Sequence, residues 1–325
     1  MKGLVIGKFY PPHLGHSYLI ETALKNCDSL DVLVCDSEEY ALGADLRSYW
    51  LKQIHPEAKV QIIKDIGDDD NSKAWAEHTV QHLGYAPDIV FTSEDYGETY
   101  AKYLGARHHQ VDKARTHVPI CATAVRKDFI DKWQYLTPTV KADLALRVVV
   151  VGAESTGTTT LAKNLAESLH APWVPEYGRL YSEALLYAKR GWKHEDFATI
   201  AKTQQQIEKQ LAKISNGLVI CDTNATATQL WEKRYMGEIS DKVKKIAQKD
   251  KIDLYIVTGD EIPFVQDGTR DGEHIRHDMN KEFQQLIKDS GVDYILASGT
   301  SEERLKNSLQ IVKNMIEYNK EIKKC

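Results

Sequence analysis

The ten residues Gly7 to His16, GKFYPPHLGH, carry the side chains best suited to handling phosphate near the start of this chain. His13 and His16 can donate hydrogen bonds to an anion, and Lys8 adds a cation. Leu4-Val5-Ile6 ahead of them reads as the end of a strand. Ser17-Tyr18-Leu19-Ile20 behind them reads as a helix, with Leu19/Ala23 and Ile20/Leu24 four apart on one face. Pro11 and Pro12 stiffen the turn and hold the helix back to that run. Gly15 permits close backbone approach beside the helix start. A helix N-terminus exposes unpaired N–H groups and the positive end of the dipole, so phosphate is the ligand this corner suits. The plain alternative, two surface histidines on a strand–turn–helix corner, leaves Lys8 and the rest of the string unexplained.

A second set lies at Ile120-Cys121-Ala122-Thr123-Ala124-Val125-Arg126. Arg126 can grip phosphate oxygens through its fork of donors. A third set starts at Arg147-Val148-Val149-Val150-Val151, a β-branched run followed by a glycine-rich loop, Gly152-Ala153-Glu154-Ser155-Thr156-Gly157-Thr158-Thr159-Thr160. Leu161, Leu165 and Leu169 then mark a helix, which completes the context a P-loop needs. The loop reads GxxxxGTT where the Walker A pattern has GxxxxGK[ST]. Both glycines remain, so Gly152, Ser155, Thr156 and Gly157 can wrap a phosphate in backbone N–H groups. Thr159 is placed to put a hydroxyl on Mg²⁺. Thr158 stands where a lysine normally reaches the β- and γ-phosphates, so a cation is lost. Lys163, a turn further along, is expected to point elsewhere.

Other residues surround that loop. Gly217 to Thr223 is an apolar strand ending in Asp222, a metal position of the Walker B kind. Glu176, in Pro175-Glu176-Tyr177-Gly178-Arg179, could take a proton from a substrate hydroxyl, and Arg179 could orient phosphate. Asp267-Gly268-Thr269-Arg270, with Arg276 nearby, reads as a lid that brings arginines onto phosphates. Ser298-Gly299, behind a strand at Tyr294–Ala297, suits an adenine-side loop.

These groups need two scaffolds. In the first part, strands are expected at Gly3–Ile6, Leu30–Cys35, Val60–Ile63, Ile89–Phe91 and His109–Val111. Helices are expected at Tyr18–Lys25, Leu46–Ile54, Trp75–Leu83 and Glu98–Leu104. Such alternation predicts a doubly wound parallel sheet with its ligand crevice at the carboxyl ends of the strands. The pattern restarts after Thr137-Pro138-Thr139 and a short polar helix. The expected domains are therefore 1–142, Rossmann-like, and 143–325, built on the P-loop. At 325 residues the chain has room for both cores. A net charge of −5 gives no overall attraction to nucleic acid or acidic membranes, so phosphate sites must be built locally. Asp68-Asp69-Asp70 reads as a solvated loop. Five scattered cysteines without CxxC spacing fit neither a zinc site nor a disulfide framework, and suit a reducing cytoplasm. No apolar run approaches membrane-spanning length, and Met1 leads almost directly into the first strand, leaving no room for a signal peptide.

GKFYPPHLGH resembles the (T/H)xGH signature of the nucleotidyltransferase superfamily in its GKFxPxHxGH form. Thr123 and Arg126 match that superfamily's ISxTxxR pattern, with Cys121 where serine is usual. Together the two halves resemble the bifunctional NadR family, nicotinamide mononucleotide adenylyltransferase joined to ribosylnicotinamide kinase. Matches include Arg47, Trp50, Trp75, Thr92-Ser93-Glu94, Asp112 and Arg115 in the first half, and Glu176-Tyr177-Gly178-Arg179 and Asp222-Thr223 in the second. The resemblance implies adenylyl transfer from ATP to nicotinamide mononucleotide, giving NAD⁺ and pyrophosphate with Mg²⁺, and phosphorylation of ribosylnicotinamide by the second domain. It implies catalytic roles for His13, His16, Lys8, Arg126, Glu176 and Asp222. Gly7, Phe9, Tyr10, Gly15, Thr123 and Trp75 would line the first nucleotide site, with Trp75 stacking on the nicotinamide ring. The loop residues, Arg179, Arg270 and Arg276 would line the second. The superfamily often assembles, so a homo-oligomer is among the partners it allows; nucleic acid and membranes are not expected. Some members carry a repressor helix-turn-helix, for which this chain has no counterpart ahead of its first strand. Two other readings stay open. One is adenylyl or cytidylyl transfer to another phosphate acceptor. The other is a nucleotide-sensing regulator with an inactive kinase domain.

Overall fold

The computed structural model describes residues 1–265 and 273–321. The chain divides into two compact units, residues 1–140 with 319–325, and residues 141–318.

The first unit alternates strand and helix: β1 (Lys2–Gly7), α1 (Leu14–Lys25), β2 (Ser29–Asp36), α2 (Ala44–Ile54), β3 (Lys59–Lys64), α3 (Ser72–Leu83), β4 (Ile89–Thr92), α4 (Gly97–Leu104), β5 (Arg107–Gln110) and α5 (Ala122–Lys127). Its five strands lie in the order β3-β2-β1-β4-β5, all parallel. Helices cover both faces, so β1 is apolar on both sides of the pleat. Val5 packs with Ile20, Val32 and Leu51 on one face. Leu4 and Ile6 pack with Leu33, Val90 and Tyr100 on the other. The chain winds first to one side of β1 and then to the other. That reversal opens a crevice at the carboxyl end of β1, where the phosphate-suited turn sits.

Several elements begin ahead of the expected residue, α2 at Ala44 rather than Leu46 and α3 at Ser72 rather than Trp75; two departures have a clear local reason. α1 begins at Leu14, four residues ahead of the expected Tyr18, because His13 caps it and Pro12 lies just outside the helix. β5 lies at Arg107–Gln110, ahead of the expected His109–Val111; it is a short edge strand with no apolar run to mark it.

A helix, α6 (Pro138–Leu144), leads to the second unit: β6 (Leu146–Val151), α7 (Thr158–Ser168), β7 (Trp173–Val174), α8 (Tyr177–Tyr187), α9 (His194–Lys213), β8 (Leu218–Asp222), α10 (Ala225–Met236), α11 (Asp241–Ala247), β9 (Leu254–Thr258), α12 (Glu273–Ser290), β10 (Tyr294–Ala297) and α13 (Ser301–Tyr318). This sheet is also parallel, in the order β10-β9-β6-β8-β7. Val148 and Val150 are fully buried with Leu161, Leu165 and Ile220, so α7 is clamped against the sheet by the leucine stripe. Register sets Val150 beside Asp222, which brings the ends of β6 and β8 together. Among the described residues, no helix is long and apolar enough to cross a membrane.

Candidate functional site

Each unit holds a cavity at the carboxyl edge of its sheet. The first, about 700 Å³, is lined by Gly7, Lys8, Phe9, Tyr10, His13, Gly15, His16, Trp75, Thr123 and Arg126, among others. Every first-half residue expected at a nucleotide site therefore faces one space. At its floor His13 is the N-cap of α1, and its Nδ1 accepts the His16 N–H at 3.3 Å. In return His16 Nδ1 accepts the His13 N–H at 3.2 Å. This reciprocal cap gives the His13 N–H its partner and adds a second acceptor to the His16 N–H, which also donates to the His13 carbonyl at 2.9 Å. It also decides the tautomers. With both Nδ1 atoms accepting, each neutral ring carries its proton on Nε2, as a donor. The rings stack with centroids 3.7 Å apart. Burial, helped by the charges of Arg115 and Arg126, pulls His13 down to about 4. Burial, then the His13 ring, holds His16 well below its ordinary value. Both imidazoles are thus neutral donors at physiological pH. A Cβ on Gly15 would come to 3.0 Å from the His13 ring, so any larger residue would push on the cap.

Cations ring this floor. Arg126 donates to the Tyr10 carbonyl at 2.8 Å and to the Thr123 hydroxyl at 3.0 Å, lying over the Tyr10 ring. Arg115 pairs with Glu94 at 2.9 Å. Arg47, fully buried, donates to the backbone carbonyls of Lys8 and Cys35 and so fixes the turn from beneath. Trp75 is nearly buried and donates its indole N–H to the Asp68 carbonyl at 3.0 Å, which orients its ring beside the cavity. Cys121 is the N-cap of α5 and makes no side-chain cap hydrogen bond, as suits a sulfur that is a weak acceptor of backbone N–H groups. The Asp68–Asp70 run is not simply solvated. Asp69 and Asp70 line the cavity, and Asp69 holds the Lys8 ammonium at 2.6 Å.

The second cavity, about 440 Å³, is lined by Gly152, Ser155, Gly157, Thr158, Thr159 and Thr160 of the loop, with Glu176, Arg179 and Asp222. A Cβ on Gly152 would sit 2.2 Å from the Thr258 hydroxyl and 2.7 Å from that of Thr156, which shows how tightly the loop is pinned. Thr156 itself is turned inward. Its hydroxyl donates to the Ala153 carbonyl and meets Thr258, so only its backbone is left for a phosphate. Burial raises the Asp222 carboxyl, opposed by hydrogen bonds from Thr159 and Thr158 and by the charges of Arg179 and Lys163. Burial likewise raises Glu176, and the adjacent Asp222 carboxylate raises it further.

Two expectations for this unit fail. Arg276 does not reach over the phosphates: it is buried on α12 and donates to the Asp260 and Ile262 carbonyls, bracing that loop from inside. Lys163 does not point away, because its side chain lines the cavity, with the ammonium 4.5 Å from the Trp173 ring centre. Arg270 and the rest of the expected lid, Asp267 to Thr269, lie outside the described residues.

The structure adds an aromatic wall. Trp192 stacks on Phe197 at 4.9 Å and on Tyr235 at 5.2 Å, and Trp231 completes the lining. Trp231 and Tyr235, four apart, were the available sequence signal. Beside them Gln204 is buried; its Oε1 accepts the Tyr177 N–H at 3.0 Å, and among the described residues its Nε2 has no hydrogen-bond partner. Among the described residues no group of three or more His, Cys, Asp or Glu could hold a metal. Thr159 and Asp222 instead offer two hard oxygen donors, the sparse protein share typical of Mg²⁺ bound largely through phosphates and water.

Fold and sites together define a two-unit α/β nucleotide-handling protein, one unit built on a P-loop. The family model described as "AAA domain" matches residues 147–304. The chain is 29% identical over 309 residues to the trifunctional NAD biosynthesis/regulator protein NadR of Escherichia coli (strain K12), covering 88% of this chain and 75% of that one. It is 26% identical over 340 residues to the Salmonella typhimurium protein of the same name, covering 97% and 83%. A crystal structure of NadR in complex with NR superposes with a TM-score of 0.77 at 20% identity, covering 97% of this chain and 96% of that one. Another, of NadR in complex with NAD and AMP-PNP, gives 0.73 at 21% with the same coverage. This chain is a homologue of the NadR proteins. That homology supports a role in NAD biosynthesis and a chemistry of the nucleotidyltransferase or kinase kind.

Proposed function

We propose that the first unit transfers the adenylyl group of ATP to nicotinamide mononucleotide, and that the second phosphorylates ribosylnicotinamide to make that mononucleotide. The observation that carries the first reading is the reciprocal His13–His16 cap, which aims two Nε2 donors into a cavity ringed by arginines. The mononucleotide's phosphate attacks the α-phosphorus of ATP, and pyrophosphate leaves with the electron pair of the broken bond. The attacking oxygen is already ionised, so no general base is needed. His13 and His16 hold the triphosphate at the positive end of α1, and Arg126 supports it through the Tyr10 turn. Lys8 leaves Asp69 to join them. Trp75 lines the place for the nicotinamide ring.

In the second unit, Glu176 is raised towards neutrality and so is a base matched to a hydroxyl at physiological pH. The loop backbone holds ATP, Thr159 and Asp222 would hold Mg²⁺, and the wall of Trp192, Tyr235 and Trp231 suits a flat aromatic base. The ion would supply charge neutralisation between phosphates. The two superposed structures are of NadR in complex with NR and in complex with NAD and AMP-PNP, which is compatible with both substrates. Free thiols at Cys27, Cys35, Cys121 and Cys221 agree with a cytoplasmic setting. Pyrophosphate release from ATP, measured with nicotinamide mononucleotide, its acid analogue, phosphopantetheine and flavin mononucleotide in turn, tests the first activity. Turnover with phosphopantetheine or flavin mononucleotide alone would replace this reading.

A further inference from the structure

In P-loop enzymes a lysine in the loop carries positive charge to the phosphoryl group in flight. Here that position is Thr158, a short neutral side chain. The same helix offers another cation. Thr159 and Lys163 are four apart on α7 and share a face. At about 1.5 Å of rise per residue, Lys163 starts about 6 Å behind Thr159 along the axis. Side chains on a helix lean towards its N-terminus, and the four-carbon stem of lysine covers a comparable distance. The ammonium can therefore draw level with the Thr159 hydroxyl.

The observed position agrees. Lys163 lines the same cavity as Thr158, Thr159, Glu176 and Asp222. Its ammonium rests on the face of Trp173, on the strand that leads to Glu176. Within the described residues no carboxylate forms an ion pair with it. Lys163 is exposed and the Trp173 ring is half-buried, so the contact is worth about 0.5–2 kcal/mol and can be given up to an anion. On the kinase reading Glu176 takes the acceptor's proton, so Glu176 and the nearby Trp173 mark the acceptor side of the cavity.

Building on the kinase reading, we propose that Lys163 supplies the cation that Thr158 cannot. The transferring phosphoryl group is then neutralised from the acceptor side of the cavity. The acceptor's hydroxyl oxygen bonds to the γ-phosphorus while the bond from that phosphorus to the β–γ bridging oxygen breaks. The hydroxyl proton passes to Glu176, and ADP leaves with the electron pair. Lys163 touches the non-bridging oxygens as their charge redistributes.

The test uses the full chain with ribosylnicotinamide, Mg²⁺ and ATP, and follows ADP formation. Wild type is compared with Lys163→Gln, Thr158→Lys and the double variant. Lys163→Gln should lose roughly 100-fold in kcat with the riboside KM little changed. Thr158→Lys placed in that background should restore most of the loss, which a packing role on Trp173 would not allow. Wild-type turnover with Lys163→Gln within about twofold of it would overturn the assignment. So would a loss that Thr158→Lys leaves untouched. A wild-type chain that forms no ADP with any riboside would remove the kinase reading itself, and Lys163's role with it. Melting curves for each variant separate these outcomes from misfolding.

Discussion

Lys8 and Asp69, sixty-one positions apart, meet at the mouth of the first cavity, with Nζ and Oδ2 2.6 Å apart. Both side chains are about half exposed, at 44% and 63%. Water and salt therefore screen the pair, and its strength is below about 1 kcal/mol. A triphosphate can thus displace Asp69 from Lys8 at little cost. Asp69→Asn should lower the KM for ATP in pyrophosphate release by roughly two- to fivefold at low salt. The advantage should shrink as ionic strength rises. A raised KM would show instead that Asp69 itself contacts the bound nucleotide.

His16 is the sharper probe of the same floor. It contributes an Nε2 donor and closes one arm of the cap, while His13 keeps the other arm. His16→Ala should cut adenylyl transfer by roughly 100- to 1,000-fold. Stability should fall by only about 1 kcal/mol, the usual scale for a cap. An NAD-coupled assay and a urea melt read the two effects. Turnover near wild type would refute the assignment.

The sequence made the strand–turn–helix corners legible because they combine two local signals. An apolar β-branched run ends at a glycine, and a leucine or isoleucine stripe begins soon after. β1 and β6 both fit that pattern, so the turns after Ile6 and after Val151 are legible as strand ends. The start of α1 is hard to place from sequence because histidine is an unusual N-cap and the prolines ahead of it are a stronger local signal. The direction of Lys163 was lost for a different reason. Spacing gives a helix face, but the packing of β7 against α7 decides where a long side chain lies. The Arg276 expectation failed similarly, since a surface and a buried guanidinium look alike in sequence. The aromatic wall draws on α9, α10 and the loop ahead of α9, and only the folded unit brings these together.

The buried histidine cap also sets a pH dependence. His13 titrates near 6.5 when unfolded and is pulled down to about 4 in the fold. Between those values the unfolded chain binds the extra proton and the folded chain does not. Stability therefore rises with pH across this window, and is lost as pH falls from about 6.5 towards 4. For His13 alone the difference between pH 7 and pH 5 is about 2 kcal/mol. Asn is an equally good cap and does not titrate. Chemical denaturation of His13→Asn at the two pH values should show a smaller drop than wild type by about that amount. An unchanged drop would mean His13 is protonated in the folded state.

Arg304 offers a test of how the second cavity is held in shape. Its guanidinium, 4% exposed, donates to the carbonyls of Gly299 at 3.0 Å, Thr156 at 2.8 Å and Gly259 at 3.1 Å, and pairs with Glu261 at 2.7 Å. It thus joins the P-loop to the turns after β9 and β10. The Glu261 carboxylate is 43% exposed, so that ion pair adds little once screened. The carbonyls matter more, because removing the fork strips buried acceptors of their donor. Arg304→Met should cost several kcal/mol, on the order of 3–5, and should raise the ATP KM for ribosylnicotinamide phosphorylation. Arg304→Lys should not rescue it, since one ammonium cannot span acceptors set for a planar fork. Urea denaturation together with ADP formation across an ATP series reads both effects. Wild-type values for stability and KM in Arg304→Met would mean the three loops hold their places without it.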